Sequence, residues 1–245
     1  MGRAGTGDKP NDHSVSRSLR GCLLDVDGTL IDSNDAHARS WVDVFRENEY
    51  DVTYAQVRAL IGMGGDKLVR ALTGLDVERG RGKELTTRRK NVFLKQYLPS
   101  LNATAGAREL VARMRDDKLR LVIATSARDD ELNALLDQAG LSALIEKRTT
   151  SDDAEESKPD PDIVHAALER GQLDARETVM LGDTPYDVEA AGRAGVRAIS
   201  LRCGGWWADD AFRGSIAIYN DPAELVREYS RSPLDSRRGI MVERA

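Results

Sequence analysis

The chain has few cysteines, no long apolar stretch and no excess of basic residues. Cys22 and Cys203 are its two cysteines, and they lie far apart in apolar surroundings. This spacing predicts small core residues in a reducing compartment rather than a disulfide framework or a thiolate metal site. No run of eighteen apolar residues is present, which excludes a transmembrane helix, and the polar N-terminal stretch lacks the apolar segment of a secretory signal. We therefore expect a cytoplasmic protein.

The charge pattern excludes a second class of function. Thirty-six basic residues face 41 acidic ones, for a net charge of -5, and the two signs are interspersed. No basic stripe is available to follow a nucleic-acid backbone, so we expect no nucleic-acid partner and no membrane partner. With 40% hydrophobic and 31% charged residues, the chain has the composition of an ordinary globular protein. No heptad seam appears, and the oligomeric state stays open.

Short apolar runs alternate with helical patterns along most of the chain. The periodicity predicts buried strands at 20–26, 119–125, 177–183 and 196–202, an edge strand at 216–219, and helices at 107–117, 129–140 and 161–171. Two of these helices close on a glycine, Gly140 and Gly171, as many helices do. Strands that alternate with helices favour an α/β fold whose parallel sheet is covered on both faces.

The stretch between the first and second strands is too long for a simple crossover. It covers roughly 70 residues, about twice what one crossover helix needs, and its patterns are helical throughout. We predict an inserted helical cap at 35–103, called the insert below, within an α/β core formed by 19–34 and 104–233. Residues 1–18 are expected to be a disordered lead-in and residues 234–245 a flexible tail.

Polar residues follow several of the predicted strands. In open parallel sheets, ligands bind outside the carboxyl ends of the strands, so Asp25, Asp27, Thr125, Asp183 and Asp187 should converge there. Four carboxylates in one cleft repel each other unless a cation neutralises them. Mg²⁺ suits such a set because it prefers oxygen ligands and links carboxylates to a substrate phosphate.

The same cleft contains groups that suit a phosphate. Thr125 and Ser126 offer hydroxyls and Lys158 a positive charge; either hydroxyl can be the donor, and we favour Thr125. Such a set supports attack of a carboxylate on phosphorus, which gives an aspartyl-phosphate that water then hydrolyses. Asp25 would be the nucleophile and Asp27 the general acid and base.

Four segments of the chain resemble, in order and spacing, the four motifs of the haloacid dehalogenase-like phosphatases. They are LLDVDGTLIDS, VIATSA, SKPDPD and LGDTPYDVEAA. The resemblance implies that Asp25 is both nucleophile and metal ligand, and that Asp27 is acid and base with its backbone carbonyl on the metal. It further implies Thr125 and Lys158 on the phosphate, Asp183 on Mg²⁺, and Asp187 on the metal directly or through a water.

The resemblance covers nearly all of residues 20–230 and implies a fold as well. That fold is a Rossmann-like three-layer core with a small α-helical cap, as in the phosphoglycolate phosphatase and β-phosphoglucomutase branch. In the mutase-like members an arginine of a cap loop holds a second phosphate, whereas this chain has Gly65 in its glycine-rich loop, Gly62–Gly65. A histidine that matches His37 helps to couple cap and core in that branch, although simple packing is an equal explanation here.

These observations predict a Mg²⁺-dependent phosphatase that acts on a small phosphorylated metabolite, such as phosphoglycolate or a sugar phosphate. Two alternatives stay open: a phosphoglucomutase-like phosphoryl transferase, and a non-catalytic module that binds a phosphorylated metabolite. A metal-free dehalogenase is disfavoured because that branch has no aspartate where Asp27 stands.

Overall fold

The centre of the fold is a six-stranded parallel sheet. The structure, a computed structural model, describes residues 18–235, so most of the predicted lead-in and most of the predicted tail lie outside the described residues. The strand order is β3-β2-β1-β4-β5-β6. The strands are β1 (Gly21–Leu24), β2 (Arg120–Ala124), β3 (Lys147–Thr149), β4 (Thr178–Gly182), β5 (Arg197–Leu201) and β6 (Ser215–Tyr219).

Alternate side chains of the strands point to opposite faces of the sheet, and each face has its own apolar core. Cys22 and Leu24 of β1 pack with one group of helices: α5 (Ala107–Asp116), α6 (Asp129–Ala139) and α9 (Pro222–Arg227). Leu23 packs on the other face, against α7 (Asp162–Gly171) and α8 (Pro185–Arg193). Helices on both faces explain why the inner strands β1 and β4 are buried throughout, and the predicted three-layer α/β core is confirmed.

The strand order places a crevice near the middle of the sheet. From β1 the chain builds outward through β2 to β3, then returns to build the other half from β4 to β6. Ligands of such folds bind where the order reverses, here between the carboxyl ends of β1 and β4. Strand β3 was not predicted, since its three residues, Lys147–Thr149, form no apolar run. The predicted edge strand is confirmed as β6.

The regular elements of the insert are helices. They are α1 (Asn34–Glu47), α2 (Tyr54–Arg58), α3 (Gly65–Thr73) and α4 (Gly80–Val92), followed by a π-helical turn, Phe93–Tyr97. Their apolar faces form a core of their own, which includes Trp41, Phe45, Leu68 and Leu85. Helix α2 begins with a capping box, in which Thr53 and Gln56 exchange hydrogen bonds that satisfy the first free amides of the helix.

The two connections between the core and the insert lie side by side. Ile31 and Ala103 form an antiparallel bridge. Thr104 N donates to Leu30 O at 2.9 Å, and Asp32 N donates to Asn102 O at 3.1 Å. The chain therefore leaves and re-enters the core at one place, which we call the paired hinge.

The core packing continues past the predicted end of the fold. Leu234 is fully buried in the apolar core and Asp235 is 5% exposed, although the tail was predicted to begin at 234. The two cysteines are free; Cys22 is fully buried and Cys203 partly so. Within residues 18–235, no helix is both long enough and apolar enough to cross a membrane.

Candidate active site

Three buried aspartates meet at the crevice between β1 and β4. Asp25 directly follows β1, and its N–H still donates to Leu181 O of β4 at 3.0 Å, so that it stays in register with the sheet. Asp183 follows β4, and Asp187 lies in the first turn of α8. One carboxylate oxygen from each of the three lies within 4.8 Å of the others. The structure thus brings together three of the carboxylates that the sequence singled out.

Lys158 joins two of these aspartates. Its Nζ donates to Asp25 Oδ1 at 2.6 Å and to Asp187 Oδ1 at 2.8 Å, and its side chain is fully buried. The other oxygen of Asp187 accepts from the backbone N–H of Thr184 at 3.0 Å and from its hydroxyl at 2.7 Å. Asp187 therefore caps α8 with one oxygen and orients Lys158 with the other.

One lysine does not neutralise the three aspartates. Burial raises the pKa of Asp25 to about 7; Lys158 opposes this rise, while the charges of Asp187 and Asp27 add to it. Burial, together with the charges of Asp25 and Asp187, also raises the pKa of Asp183 well above its ordinary value. Burial alone would lower the pKa of Lys158, but Asp187 and Asp25 outweigh it and raise that pKa. A divalent cation fits this all-oxygen set because it would supply the missing positive charge.

Asp27 faces a different environment from Asp25. Its Oδ1 accepts from Ser33 Oγ at 2.5 Å and contacts His37 Nε2 at 2.6 Å. Burial would raise the pKa of Asp27, but the hydrogen bonds that His37 and Ser33 donate, with the positive charge of Arg89, outweigh burial and hold that pKa below its ordinary value. The two aspartates of the first motif thus have pKa values shifted in opposite directions by their different surroundings.

Behind Asp27, a buried chain of polar side chains crosses the insert. His37 Nδ1 contacts a terminal nitrogen of Arg89, whose other terminal nitrogen donates to both oxygens of Glu131, at 3.0 and 2.8 Å. A guanidinium only donates, so Nδ1 is the acceptor and the ring hydrogen lies on Nε2, which donates to Asp27. The His37 ring stacks on Phe93 at 4.1 Å. We call Asp27, His37, Arg89 and Glu131 the buried relay.

The relay links the core to the insert and back again. Asp27 follows β1, His37 lies on α1, Arg89 on α4, and Glu131 on core helix α6. All but Asp27 are less than a tenth exposed. His37 therefore does more than pack, because its ring connects a proposed catalytic carboxylate to a buried ion pair.

The two hydroxyls after β2 face the same cleft. Thr125 Oγ1 accepts from Ala127 N at 3.1 Å, and within residues 18–235 its own hydrogen is available to donate. Ser126 Oγ is buried and has no hydrogen-bond partner among the described residues. Both hydroxyls can therefore donate a hydrogen bond to an oxyanion, and the geometry favours neither of them.

A cleft of about 700 Å³ opens between core and insert above these groups. Gly62, Met63 and Gly65 of the glycine-rich loop line it, as do Asp25 and Thr125. A Cβ at Gly62 would lie 2.5 Å from Thr184, so the absence of a side chain lets this loop approach the core closely.

The next residues of the loop hold it against the core. Asp66 accepts from Ser157 Oγ at 2.6 Å, while Lys67 Nζ donates to the carbonyl of Ser157 at 2.6 Å and pairs with Asp160. These contacts flank Lys158, so one short core segment carries both the site lysine and the docking surface for α3.

Several residues of the site escaped the sequence analysis. Thr29 Oγ1 donates to Asp183 Oδ1 at 3.0 Å and Asn34 Nδ2 donates to Asp183 Oδ2 at 2.7 Å. Both lie in or just after the first motif, and this proximity was the one available signal. The sequence offered no such signal for Arg89 or Glu131, since each belongs to a run of charged residues that is typical of a solvated helix face.

Comparison with known proteins agrees with this geometry. A family model described as haloacid dehalogenase-like hydrolase matches residues 22–201. Phosphoglycolate phosphatase of Rhodospirillum rubrum is 28% identical over 211 residues, which make up 83% of this chain and 88% of that protein. A hydrolase from Pseudomonas syringae has a similar structure, with a TM-score of 0.81 and 25% identity over 87% of this chain and 99% of that one.

One relative is much longer than this chain. The chloroplastic protein SUPPRESSOR OF QUENCHING 1 of Arabidopsis thaliana is 31% identical over 184 residues. The match takes in 74% of this chain but 17% of that protein. This chain therefore resembles one region of that longer protein.

Proposed function

The chain belongs to the haloacid dehalogenase-like hydrolase family, and we propose that it is a Mg²⁺-dependent phosphatase that cleaves a small organic phosphomonoester. The observation that carries the proposal is the buried cluster of Asp25, Asp183 and Asp187 joined by Lys158, beneath a cleft that Asp25 helps to line. The phosphatase name of the relative from Rhodospirillum rubrum supports the reaction class.

The proposed metal ligands are oxygens from the segments that follow two neighbouring strands, β1 and β4. Asp25 and Asp183 would bind the ion with their carboxylates and Asp27 with its backbone carbonyl. The capping hydrogen bonds that occupy Asp187 Oδ2 favour a contact through water for that residue. Mg²⁺ would neutralise the carboxylates and the phosphoryl group that is transferred.

Asp25 is the proposed nucleophile. Its carboxylate oxygen attacks phosphorus, and the bond between phosphorus and the leaving oxygen breaks. Lys158 favours the ionised form of Asp25 through its hydrogen bond at 2.6 Å. Thr125, Ser126 and Lys158 would hold the phosphoryl oxygens while their negative charge is redistributed.

Asp27 is the proposed acid and base. It gives a proton to the leaving oxygen, then accepts one from the water that attacks the aspartyl-phosphate, so that the bond to Asp25 breaks and inorganic phosphate leaves. The contacts from His37 and Ser33 favour its ionised form, which suits the second step. For the first step, a bound phosphate dianion favours the protonated form, because two like charges in one cleft repel.

The substrate is expected to be a small metabolite whose leaving group faces the insert. A cleft of about 700 Å³ accommodates an organic group well beyond phosphate itself. Gly65 lines that cleft where the resemblance to the mutase branch calls for an arginine, which favours hydrolysis over transfer to a second hydroxyl.

The proposal is tested by phosphate release from a panel of phosphomonoesters, with Mg²⁺ or with EDTA. Asp25→Asn serves as the inactive control, and Asp116→Asn, which changes an exposed carboxylate of α5, as the active one. We expect Mg²⁺-dependent release that Asp25→Asn abolishes. Conversion of a sugar phosphate to an isomer without free phosphate would instead identify a mutase. No conversion of any compound by folded protein would contradict the enzymatic assignment.

A further inference from the structure

Asn34 ties the first helix of the insert to the proposed metal ligand Asp183. It is the first residue of α1, is 2% exposed, and donates from Nδ2 to Asp183 Oδ2 at 2.7 Å. The other oxygen of Asp183 accepts from Thr29 Oγ1 at 3.0 Å. Asp183 is thus held from two sides, by the hydroxyl of Thr29 and by the amide at the start of α1.

The space for this contact depends on two glycines. A Cβ at Gly28 would lie 2.0 Å from Asn34 Nδ2 and 2.3 Å from Asp183 Oδ2, and Gly28 has a φ of +79°. A Cβ at Gly204 would lie 1.9 Å from Asp183 Oδ2. The amide and the carboxylate meet only because both neighbouring positions lack a side chain, which indicates a built contact rather than a chance one.

The other end of the Asn34 amide has no hydrogen-bond partner in the described part of the chain. A carboxylate that binds a metal ion only accepts hydrogen bonds, so Nδ2 must face Asp183 and Oδ1 must point away from it. Oδ1 is buried, and no donor for it exists within residues 18–235. A buried amide oxygen without a donor is costly, so the contact with Asp183 comes at the expense of this oxygen.

We propose that Asn34 is a positioning residue of the metal site, whose amide group holds Asp183 in place for the ion. This inference rests on the Mg²⁺ site of the proposed function. Residues that orient metal ligands are commonly worth 10- to 100-fold in metal affinity. Because Asn34 begins α1, whose remaining residues belong to the insert, it also links that helix to the metal site.

The test is a calorimetric titration of metal-free protein with Mg²⁺, in the absence of substrate. We expect the Kd of Asn34→Ala to rise by roughly 10- to 100-fold. Asn48→Ala is the matched control: it removes an amide from the other end of α1, where Nδ2 donates to Val44 O at 2.9 Å, and we expect an unchanged Kd. Thermal melts of the metal-free proteins accompany the titrations, since a purely structural role would lower the melting temperature and leave the Kd alone.

A second variant keeps the test decisive if Asn34→Ala does not fold. Asn34→Ser retains a small polar group, and we expect a Kd between those of wild type and alanine variant. Equal Kd values for wild type and the folded Asn34 variants would overturn this inference while the metal site stands. Failure of the wild type to bind Mg²⁺ would overturn both the inference and the proposed cofactor.

Discussion

Asp25→Asn is expected to stabilise the metal-free protein at alkaline pH. The pKa of Asp25 rises from its ordinary value of 3.8 to about 7 in the folded state, mainly through burial. Since the folded protein binds this proton more tightly than the unfolded chain, the free energy of unfolding falls as the pH rises from about 4 towards 7. A shift of about three units corresponds to about 4 kcal/mol once both states are ionised.

Asparagine resembles the protonated carboxyl and keeps an oxygen acceptor for Lys158, so it avoids this cost at every pH. Urea unfolding in EDTA, at pH 5 and at pH 8, measures the difference between variant and wild type. We expect the advantage of Asp25→Asn to grow by about 3 kcal/mol between the two pH values, whereas the exposed control Asp116→Asn should track the wild type.

Two results would refute this reasoning. One is an advantage of Asp25→Asn that stays the same at pH 5 and pH 8, which would mean that Asp25 does not titrate with a raised pKa. The other is a variant less stable than wild type at pH 8, which would mean that the ion pair with Lys158 outweighs burial. Added Mg²⁺ should reverse the order, because the wild type has the complete ligand set.

Three further predictions concern the other groups of the site. Asp27→Asn should slow both formation and hydrolysis of the aspartyl-phosphate by roughly 100-fold or more, measured in single-turnover experiments; an unchanged rate in either step would remove its role there. Asp183→Ala should sharply raise the Mg²⁺ concentration needed for turnover, and an unaltered requirement would eliminate it as a ligand. Arg89→Met should destabilise the fold by about 3–5 kcal/mol in urea, because it strands Glu131 in a buried site; Lys90→Ala, which removes a more exposed pair with Asp130, should cost at most about 1 kcal/mol.

The core and its converging strand ends were readable from the sequence because their signals are local. Apolar runs that end in Asp25, Thr125 or Asp183 depend on a few consecutive residues and on a general property of parallel sheets. Lys158 was recognised from the motif around it, and the structure brings it to Asp25, 133 positions earlier in the chain. Their roles in chemistry stay predictions.

The rest of the site depends on contacts that no local pattern records. Arg89 and Glu131 lie 42 positions apart and meet only because α4 folds over α6. Each stands in a charged run, so nothing marked it as buried. Asparagine is common near the start of a helix, so the sequence did not mark Asn34 as a site residue. Its hydrogen bond to Asp183 depends on where β4 lies in the fold. β3 was missed because the edge of a sheet does not require an apolar sequence.

The paired hinge has a consequence for how proteins of this architecture diversify. Because Ile31 and Ala103 lie opposite each other in an antiparallel bridge, whose Cα atoms are typically about 5 Å apart, the roughly 70 residues between them form a module with adjoining ends. A shorter, longer or unrelated module with the same end-to-end spacing fits the same gap without a change in strand register. Recombination can therefore exchange this helical module while Asp25, Lys158 and Asp187 keep their places.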